Sequence, residues 1–312
     1  MSVLAPPLPP PAPAPLWRIH LTLLIVQLSF GGFHVVAKAA LADLEPMALA
    51  ALRVLIASPI LVLLAWRRDR FMPAARDLPV LALLGGFGVF LNQVLFITGL
   101  KYTTATNASI LMTSLPVFAV GAAAVLGIEK LTAPRLVGIL LSVAGALVLV
   151  NPFRFSTAPG AALGNALILG NSLCYALFLV LQRPVLARIP WRTVIAWSFV
   201  FGGAGVLLVG APALARLEPA RVPAATWLGV FYIALFATVF AYAANTWAVR
   251  RSSPALVAAY GTLQPLVAVV LAATLLGESF GWVEGVGFAL IVAGLWRVTA
   301  RPHGRRGGKP GG

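Results

Sequence analysis

Long apolar stretches separated by short polar or glycine- and proline-rich segments dominate the chain between residues 17 and 299. A helix needs about 20 mainly apolar residues to cross the hydrocarbon core of a bilayer. Ten stretches meet or approach that length, and they cover residues 17–38, 47–66, 78–100, 104–126, 133–150, 161–182, 192–213, 225–248, 253–276 and 282–299. The pattern therefore predicts an all-α integral membrane protein with ten transmembrane helices.

The pattern occurs twice along the chain. Identical residues recur 149 positions apart, as in Pro116 and Pro265 or Gly138 and Gly287. This repeat predicts two five-helix units, residues 17–150 and 161–299, between a proline-rich segment (1–16) and a basic tail (300–312) that we expect to be disordered. Five is an odd number, so the second unit must enter the membrane upside down relative to the first. The sequence thus predicts two inverted five-helix repeats.

Composition and charge agree with a membrane protein. Hydrophobic residues make up 60% of the chain and charged residues 10%, with a mean hydropathy of +0.96. Of the 23 lysines and arginines, 17 fall in segments on the side of both termini and five on the other side. This bias predicts cytoplasmic termini and the lipid bilayer as a partner. Because the charges are spread over many loops, the net charge of +15 does not indicate a nucleic-acid partner.

Several segments resemble one known family. They are GGFHVVAK in the first helix, ATNASILMTSLPVFAV in the fourth, the GIE and GES turns and the glycine-bearing fifth helix of each unit. Together they are similar to the EamA type of the drug/metabolite transporter superfamily over residues 17–299. The resemblance implies a central cavity between the inverted halves and transport, often export, of small polar or amphipathic metabolites such as amino acids. Abundant arginine, alanine, glycine and proline hint at a GC-rich bacterial genome, hence a location in the cell membrane.

Polar residues within spans are costly, and their positions are the best guide to a cavity. In the first helix Gln27, Gly31, His34 and Lys38 share one face. A similar spacing recurs 144 residues later, at Asn171, Tyr175, Phe178 and Gln182. Two such stripes in repeat-related helices favour a substrate-facing wall. The alternative is that these side chains only hydrogen-bond neighbouring helices.

Further polar side chains lie on other spans. The full predicted substrate-binding set is Gln27, His34, Asn92, Gln93, Thr113, Asn171, Tyr175, Tyr242, Asn245, Tyr260 and Gln264. Pro116 and Pro265 should kink the fourth and ninth helices near the membrane midplane, because proline removes a helical hydrogen bond and clashes with a carbonyl. We expect them to act as hinges. A static kink that only fits the bundle is the alternative.

Two charged or titratable side chains in spans have open roles. His34 could carry a proton if transport were coupled to proton entry, or serve as a neutral hydrogen-bonding residue. Arg53 lies about two turns inside the second helix, where we expect it to pair or to reach outward toward Asp43 or Glu45. It could instead bind a substrate carboxylate.

Catalysis, metal binding and ATP hydrolysis find little support. Three histidines and one cysteine are too scattered for a four-ligand metal site, and all eight acids lie at helix ends or in loops. A GxxxxGK[ST] phosphate loop does not occur in the sequence. We therefore predict that the chain is not an enzyme and needs no cofactor. Its predicted partner is a small-molecule substrate.

The alternative is a membrane scaffold or lipid-handling protein. Substrate identity, direction, coupling ion and oligomeric state are left open.

Overall fold

The computed structural model describes residues 14–103, 105–130, 132–150, 161–267 and 282–299. Its helices are numbered in chain order as spans. They are α1 (Leu16–Ala40), α2 (Pro46–Asp69), α3 (Ala75–Tyr102), α4 (Ala105–Met112 and Leu115–Val125), α5 (Ala133–Val150), α6 (Ala161–Val185), α7 (Trp191–Ala215), α8 (Ala224–Arg251), α9 (Pro254–Tyr260, continuing through Gly261–Leu263) and α10 (Trp282–Thr299). No strand occurs within these ranges.

The helices confirm the predicted all-α membrane fold. Six of them, α1, α2, α3, α6, α7 and α8, are long and apolar enough to cross a bilayer, and α4, α5 and α10 contain shorter apolar helices. Large apolar side chains point outward from the bundle, among them Leu28, Trp66 and Leu208 at 58%, 70% and 79% exposure. Such a surface suits contact with lipid tails. The second part of the predicted ninth span, residues 268–276, lies outside the described residues.

The two repeats run in opposite directions, and the contact between α5 and α10 demonstrates it. A Cβ added at Gly138 would lie 2.7 Å from the carbonyl oxygen of Gly294, and one added at Gly145 would lie 2.6 Å from that of Gly287. Gly138 corresponds to Gly287 in the repeat, and Gly145 to Gly294. The contact is therefore its own image under a two-fold rotation. Small residues here let the two backbones touch, as in closely packed membrane helices.

The same two-fold relation links the caps of α3 and α8. Lys38 at the end of α1 donates through Nζ to the carbonyl oxygen of Leu100 in α3, at 2.7 Å. Arg183 at the end of α6 donates to the carbonyl oxygen of Val249 in α8, at 2.5 Å. Cations complement the unpaired carbonyls of a helix C-terminus. Val249 lies 149 residues after Leu100, so the two caps close opposite ends of the bundle by the same means.

Irregular backbone also recurs in both repeats. The helices α3 and α8 each contain a π-helical segment, Gly86–Leu91 and Leu235–Phe240, which begin 149 residues apart. In α4 the helix is interrupted at Thr113 and Ser114, just before Pro116, and α9 narrows to a 3-10 turn at Gly261–Leu263, just before Pro265. The breaks thus precede the two prolines, where each ring would clash with a carbonyl. A role as hinges stays a prediction.

Candidate functional site: a central polar cavity

A small cavity lies within the bundle, between the two repeats. Seven helices contribute to its wall, from both halves of the chain. Its lining residues are Phe30, Phe33, His34, Arg53, Asn92, Phe96, Met112, Leu115, Asn171, Tyr175, Tyr242 and Gln264. Its volume is about 40 Å³, whereas sites for small organic ligands measure roughly 300–1,000 Å³. A ligand of that size can bind here only if the surrounding helices move apart.

Asn92 connects the two repeats at the cavity wall. Its backbone carbonyl accepts a hydrogen bond from Nδ2 of Asn171, at 2.7 Å. Its side-chain Oδ1 accepts one from the hydroxyl of Tyr242, at 2.6 Å. Behind this layer Asn245 donates through Nδ2 to the hydroxyl of Tyr175, at 2.7 Å. Buried polar groups need such partners, and here they tie α3, α6 and α8 together.

Two further polar side chains of the wall are held by α1. His34 is hydrogen-bonded through Nδ1 to the carbonyl oxygen of Phe30, at 2.9 Å. Gln264 donates through Nε2 to Oε1 of Gln27, at 3.1 Å, which brings α9 against α1. All of these side chains except the half-buried Phe30 are at least nine-tenths buried. The second nitrogen of His34 and the oxygen of Gln264 have no hydrogen-bond partner among the described residues.

Arg53 brings a permanent charge to the cavity. Its side chain is 2% exposed. The guanidinium donates to Oγ1 of Thr238 from Nε at 3.3 Å and from a terminal nitrogen at 3.1 Å, and it lies 4.5 Å from the ring centre of Phe33. Phe33 stacks on Phe96, and the ring of His34 meets Phe96 edge-on. We call Phe33, His34, Arg53 and Phe96 the arginine side of the cavity.

The predicted outward course of Arg53 is wrong. Asp43 instead accepts a hydrogen bond from Thr226, and Glu45 forms an ion pair with Arg216 at 3.0 Å. The arginine turns inward because Thr238 and the face of Phe33 receive its guanidinium. A cation over an aromatic face is a favourable contact in a desolvated site.

Four aromatic rings pack together at the other part of the cavity, where Tyr175 and Tyr242 line the wall and two phenylalanines lie behind them. Tyr242 meets the rings of Tyr175, Phe178 and Phe199, with centroids 5.6, 6.2 and 5.2 Å away. Both phenylalanines are fully buried. These edge-on and tilted arrangements are the ones that aromatic pairs prefer. We call Tyr175, Phe178, Phe199 and Tyr242 the aromatic side.

Of the eleven predicted binding residues, six line the cavity: His34, Asn92, Asn171, Tyr175, Tyr242 and Gln264. Gln27 and Asn245 lie one layer behind and position Gln264 and Tyr175. Gln93, Thr113 and Tyr260 do not line it. Gln93 is fully buried away from the cavity, Thr113 occupies the break in α4 beside the lining residue Met112, and the Tyr260 hydroxyl lies 2.5 Å from Nδ1 of His20.

The sequence prediction missed mainly the apolar half of the wall, which consists of Phe30, Phe33, Phe96, Met112 and Leu115. Apolar side chains in a membrane helix look alike whether they face lipid, a neighbouring helix or a cavity. The signal that could have placed Arg53 was its charge, because a cation inside a span marks a functional site by default.

An all-helical membrane bundle made of two antiparallel repeats, with a buried polar cavity where they cross, defines the architecture of a membrane transporter. Comparison with known proteins gives the family. The model of the EamA-like transporter family matches residues 17–151 and 162–300. The chain therefore belongs to the EamA-like transporter family, within the drug/metabolite transporters.

Named relatives are similar over most of their length. An uncharacterized transporter of Archaeoglobus fulgidus is 30% identical over 291 residues, which cover 92% of this chain and 99% of the relative. A probable terminal-alkyne amino-acid exporter of Streptantibioticus cattleyicolor is 32% identical over 257 residues, covering 81% and 84%. A solved structure described only as the crystal structure of a protein shares the fold with a TM-score of 0.73, at 19% identity, over 90% of this chain and 94% of its own.

Proposed function

We propose that this transporter exports small polar or amphipathic metabolites, amino acids or related compounds, by alternating access between its two repeats. The observation that carries the proposal is the cavity lined by both repeats, because a buried polar site between antiparallel repeats is what such a mechanism requires. The relative described as an amino-acid exporter supports both the direction and the substrate class. The proposal assigns no catalytic step, cofactor or metal to the chain.

The proposed location is the cytoplasmic membrane, with both termini in the cytoplasm. Ion pairs at one end of the bundle support this orientation. Arg192 pairs with Asp69 at 2.8 Å, and Arg188 pairs with Asp77. These arginines lie at the same end as the start of α1, together with most of the other arginines and lysines among the described residues. An excess of arginine and lysine marks the cytoplasmic side of a membrane protein. We further propose that the repeats extend over residues 17–150 and 161–299.

Counterflow in proteoliposomes tests the proposal directly. Vesicles containing the purified protein would be loaded with an unlabelled amino acid, and uptake of the same labelled compound would be followed. We expect transient accumulation of the label above equilibrium, which needs no knowledge of the coupling ion. A panel of amino acids, amines, nucleosides and neutral amphiphiles would identify the substrate class. If no solute moves across such a panel, the chain is better explained as a membrane scaffold or lipid-handling protein.

A cysteine placed in the loop after α1 or in the one after α2 tests the orientation. The native Cys174 is buried and gives little background. We expect a membrane-impermeant maleimide applied to whole cells to label a cysteine at Ala42 and to spare one at Met72. The reverse pattern would invert the proposed topology and leave the fold unchanged.

A further inference from the structure

The charge of Arg53 is not balanced by an acid within the described structure. Six acids have described side chains, and each is engaged elsewhere. The pairs are Asp43 with Thr226, Glu45 with Arg216, Asp69 with Arg192, Asp77 with Arg188, Glu129 with Arg135 and Glu218 with Arg221. The oxygen atom that receives the guanidinium belongs to Thr238, a neutral side chain. An arginine buried within a transmembrane bundle is expensive unless an anion meets it.

The same cavity holds three unpartnered hydrogen-bond acceptors. They are Nε2 of His34, Oδ1 of Asn171 and Oε1 of Gln264. The hydrogen bonds already formed fix the chemistry of the first two. The Nδ1 of His34 faces a backbone carbonyl and must carry the hydrogen, so in the neutral ring Nε2 accepts. The Nδ2 of Asn171 likewise donates to a carbonyl, which leaves Oδ1 as an acceptor.

One cation and three neutral acceptors together complement a ligand that carries both a carboxylate and an ammonium group. A carboxylate complements the guanidinium by two parallel hydrogen bonds, and a primary ammonium group offers three donors. The rest of the wall is mostly apolar, from Phe30, Phe33, Phe96, Met112 and Leu115. A purely neutral amphiphile would leave Arg53 unbalanced, and an inorganic anion would leave the three acceptors unused.

We propose that Arg53 is the specificity-determining residue of the cavity, binding the carboxylate of a zwitterionic substrate whose ammonium group meets His34, Asn171 and Gln264. This inference rests on the proposed function and sharpens it. The substrates it selects are amino acids with a free carboxylate, a free amino group and an apolar side chain. Their amides, N-acyl derivatives and amines are discriminated against.

Equilibrium binding to the purified protein in detergent tests the inference without requiring transport. The probes are L-leucine, L-leucinamide and N-acetyl-L-leucine, titrated by calorimetry and by the shift of the melting temperature. We expect L-leucine to bind about 10–100-fold more tightly than L-leucinamide, the range that a hydrogen bond to a charged group supports. N-acetyl-L-leucine should also bind more weakly, because it keeps the carboxylate but lacks the ammonium group.

Variants separate recognition by Arg53 from a merely structural role. Arg53→Gln should reduce the preference for the acid over the amide at least about tenfold, whereas Arg53→Lys should keep part of it, since lysine keeps the charge and loses the bidentate geometry. Arg183→Gln is the matched control. Its guanidinium caps α8 at the end of the bundle, outside the cavity wall, so the ratio should stay at the wild-type value.

The ratio of the two affinities within one variant is insensitive to a general loss of stability. A wild-type protein that binds leucine and leucinamide equally, or that binds neither, overturns the inference. An Arg53→Gln variant with the wild-type ratio does so as well. Binding with acid preference but without counterflow would support the carboxylate site and refute transport. Counterflow of solutes without acid preference would support transport and refute the carboxylate site.

Discussion

The arginine side and the aromatic side of the cavity are built on corresponding helices but have opposite characters. His34 in α1 and Phe178 in α6 occupy equivalent places, 144 residues apart. His34 keeps one ring nitrogen unpartnered among the described residues, next to a buried cation. Phe178 is fully buried and packs on Tyr175 and Tyr242. The repeat thus fixes where the backbones lie, while the side chains make one side charged and polar and the other aromatic and closely packed.

Removing a fully buried ring of the aromatic side should have the largest effect on stability. In a bilayer the transfer term is small, because lipid tails are as apolar as the side chain. What remains for Phe178→Ala is the cavity left behind, about 2–3 kcal/mol for a void of about 100 Å³. We expect a clearly lower melting temperature in detergent by fluorescence scanning. Phe236→Ala, whose ring is 54% exposed toward lipid, is the control and should melt near the wild-type temperature.

Overpacking the same ring is the next test. Gly88 in the π-helical segment of α3 faces Phe178, and a methyl group there would lie 2.8 Å from ring atom Cε2 and closer to two others. Packed rings cannot retreat far, so Gly88→Ala should cost about 1–3 kcal/mol. Gly86→Ala in the same segment meets nothing within 4 Å and should be neutral or slightly stabilising. Equal melting temperatures of the two variants would contradict the described packing.

These glycines show what the sequence could predict and what it could not. The lengths of the apolar stretches predicted ten spans, and the repeat of five helices predicted that the second unit is inverted. Both predictions follow from counting helices along the chain. The π-helical segments were not predicted, since glycine inside an apolar stretch has the same appearance in any tight helix contact. The close approach of Gly138 to Gly294 likewise depends on tertiary packing.

The candidate site was predictable where polarity is rare. His34, Asn171 and Gln264 stood out because amide and imidazole groups are costly in a span, and they line the cavity. Tyr260 stood out equally, yet its hydroxyl approaches His20. Spacing along a helix gives the face on which a residue lies but not the neighbour of that face. The predicted direction of the Arg53 side chain was wrong for the same reason, because its partner Thr238 comes from the other repeat.

Making the arginine side resemble its counterpart gives a smaller, selective effect. His34→Phe places on α1 the residue that α6 carries at the equivalent position. It removes one of the three acceptors and keeps a ring of similar size. We expect affinity for L-leucine to fall about 3–10-fold, the equivalent of one ordinary hydrogen bond, with little change for N-acetyl-L-leucine. Both affinities would be measured by titration calorimetry.

His20→Phe should leave both affinities unchanged, because His20 lies outside the cavity wall. An equal loss for both ligands would point to altered packing instead of lost recognition.

The smallest effect should come from the hydrogen bond that joins the aromatic side to Asn92 in the polar wall. The hydroxyl of Tyr242 on the aromatic side donates to Oδ1 of Asn92 at 2.6 Å, and Asn92 in turn accepts from Asn171. Tyr242→Phe keeps every ring contact and leaves Oδ1 without this donor, which should cost about 1 kcal/mol. Melting temperature should fall by a few degrees.

The matched control is Tyr232→Phe, which removes a hydroxyl that donates to the carbonyl of Ser29 at 2.9 Å, away from the cavity. Both variants should lose similar stability, because each loses one hydrogen bond to an oxygen acceptor. Only Tyr242→Phe should also weaken L-leucine binding, since Asn92 would no longer be fixed beside Asn171. If binding is unaffected in both variants, the aromatic side closes the cavity without orienting its polar wall, and the division between the two sides is complete.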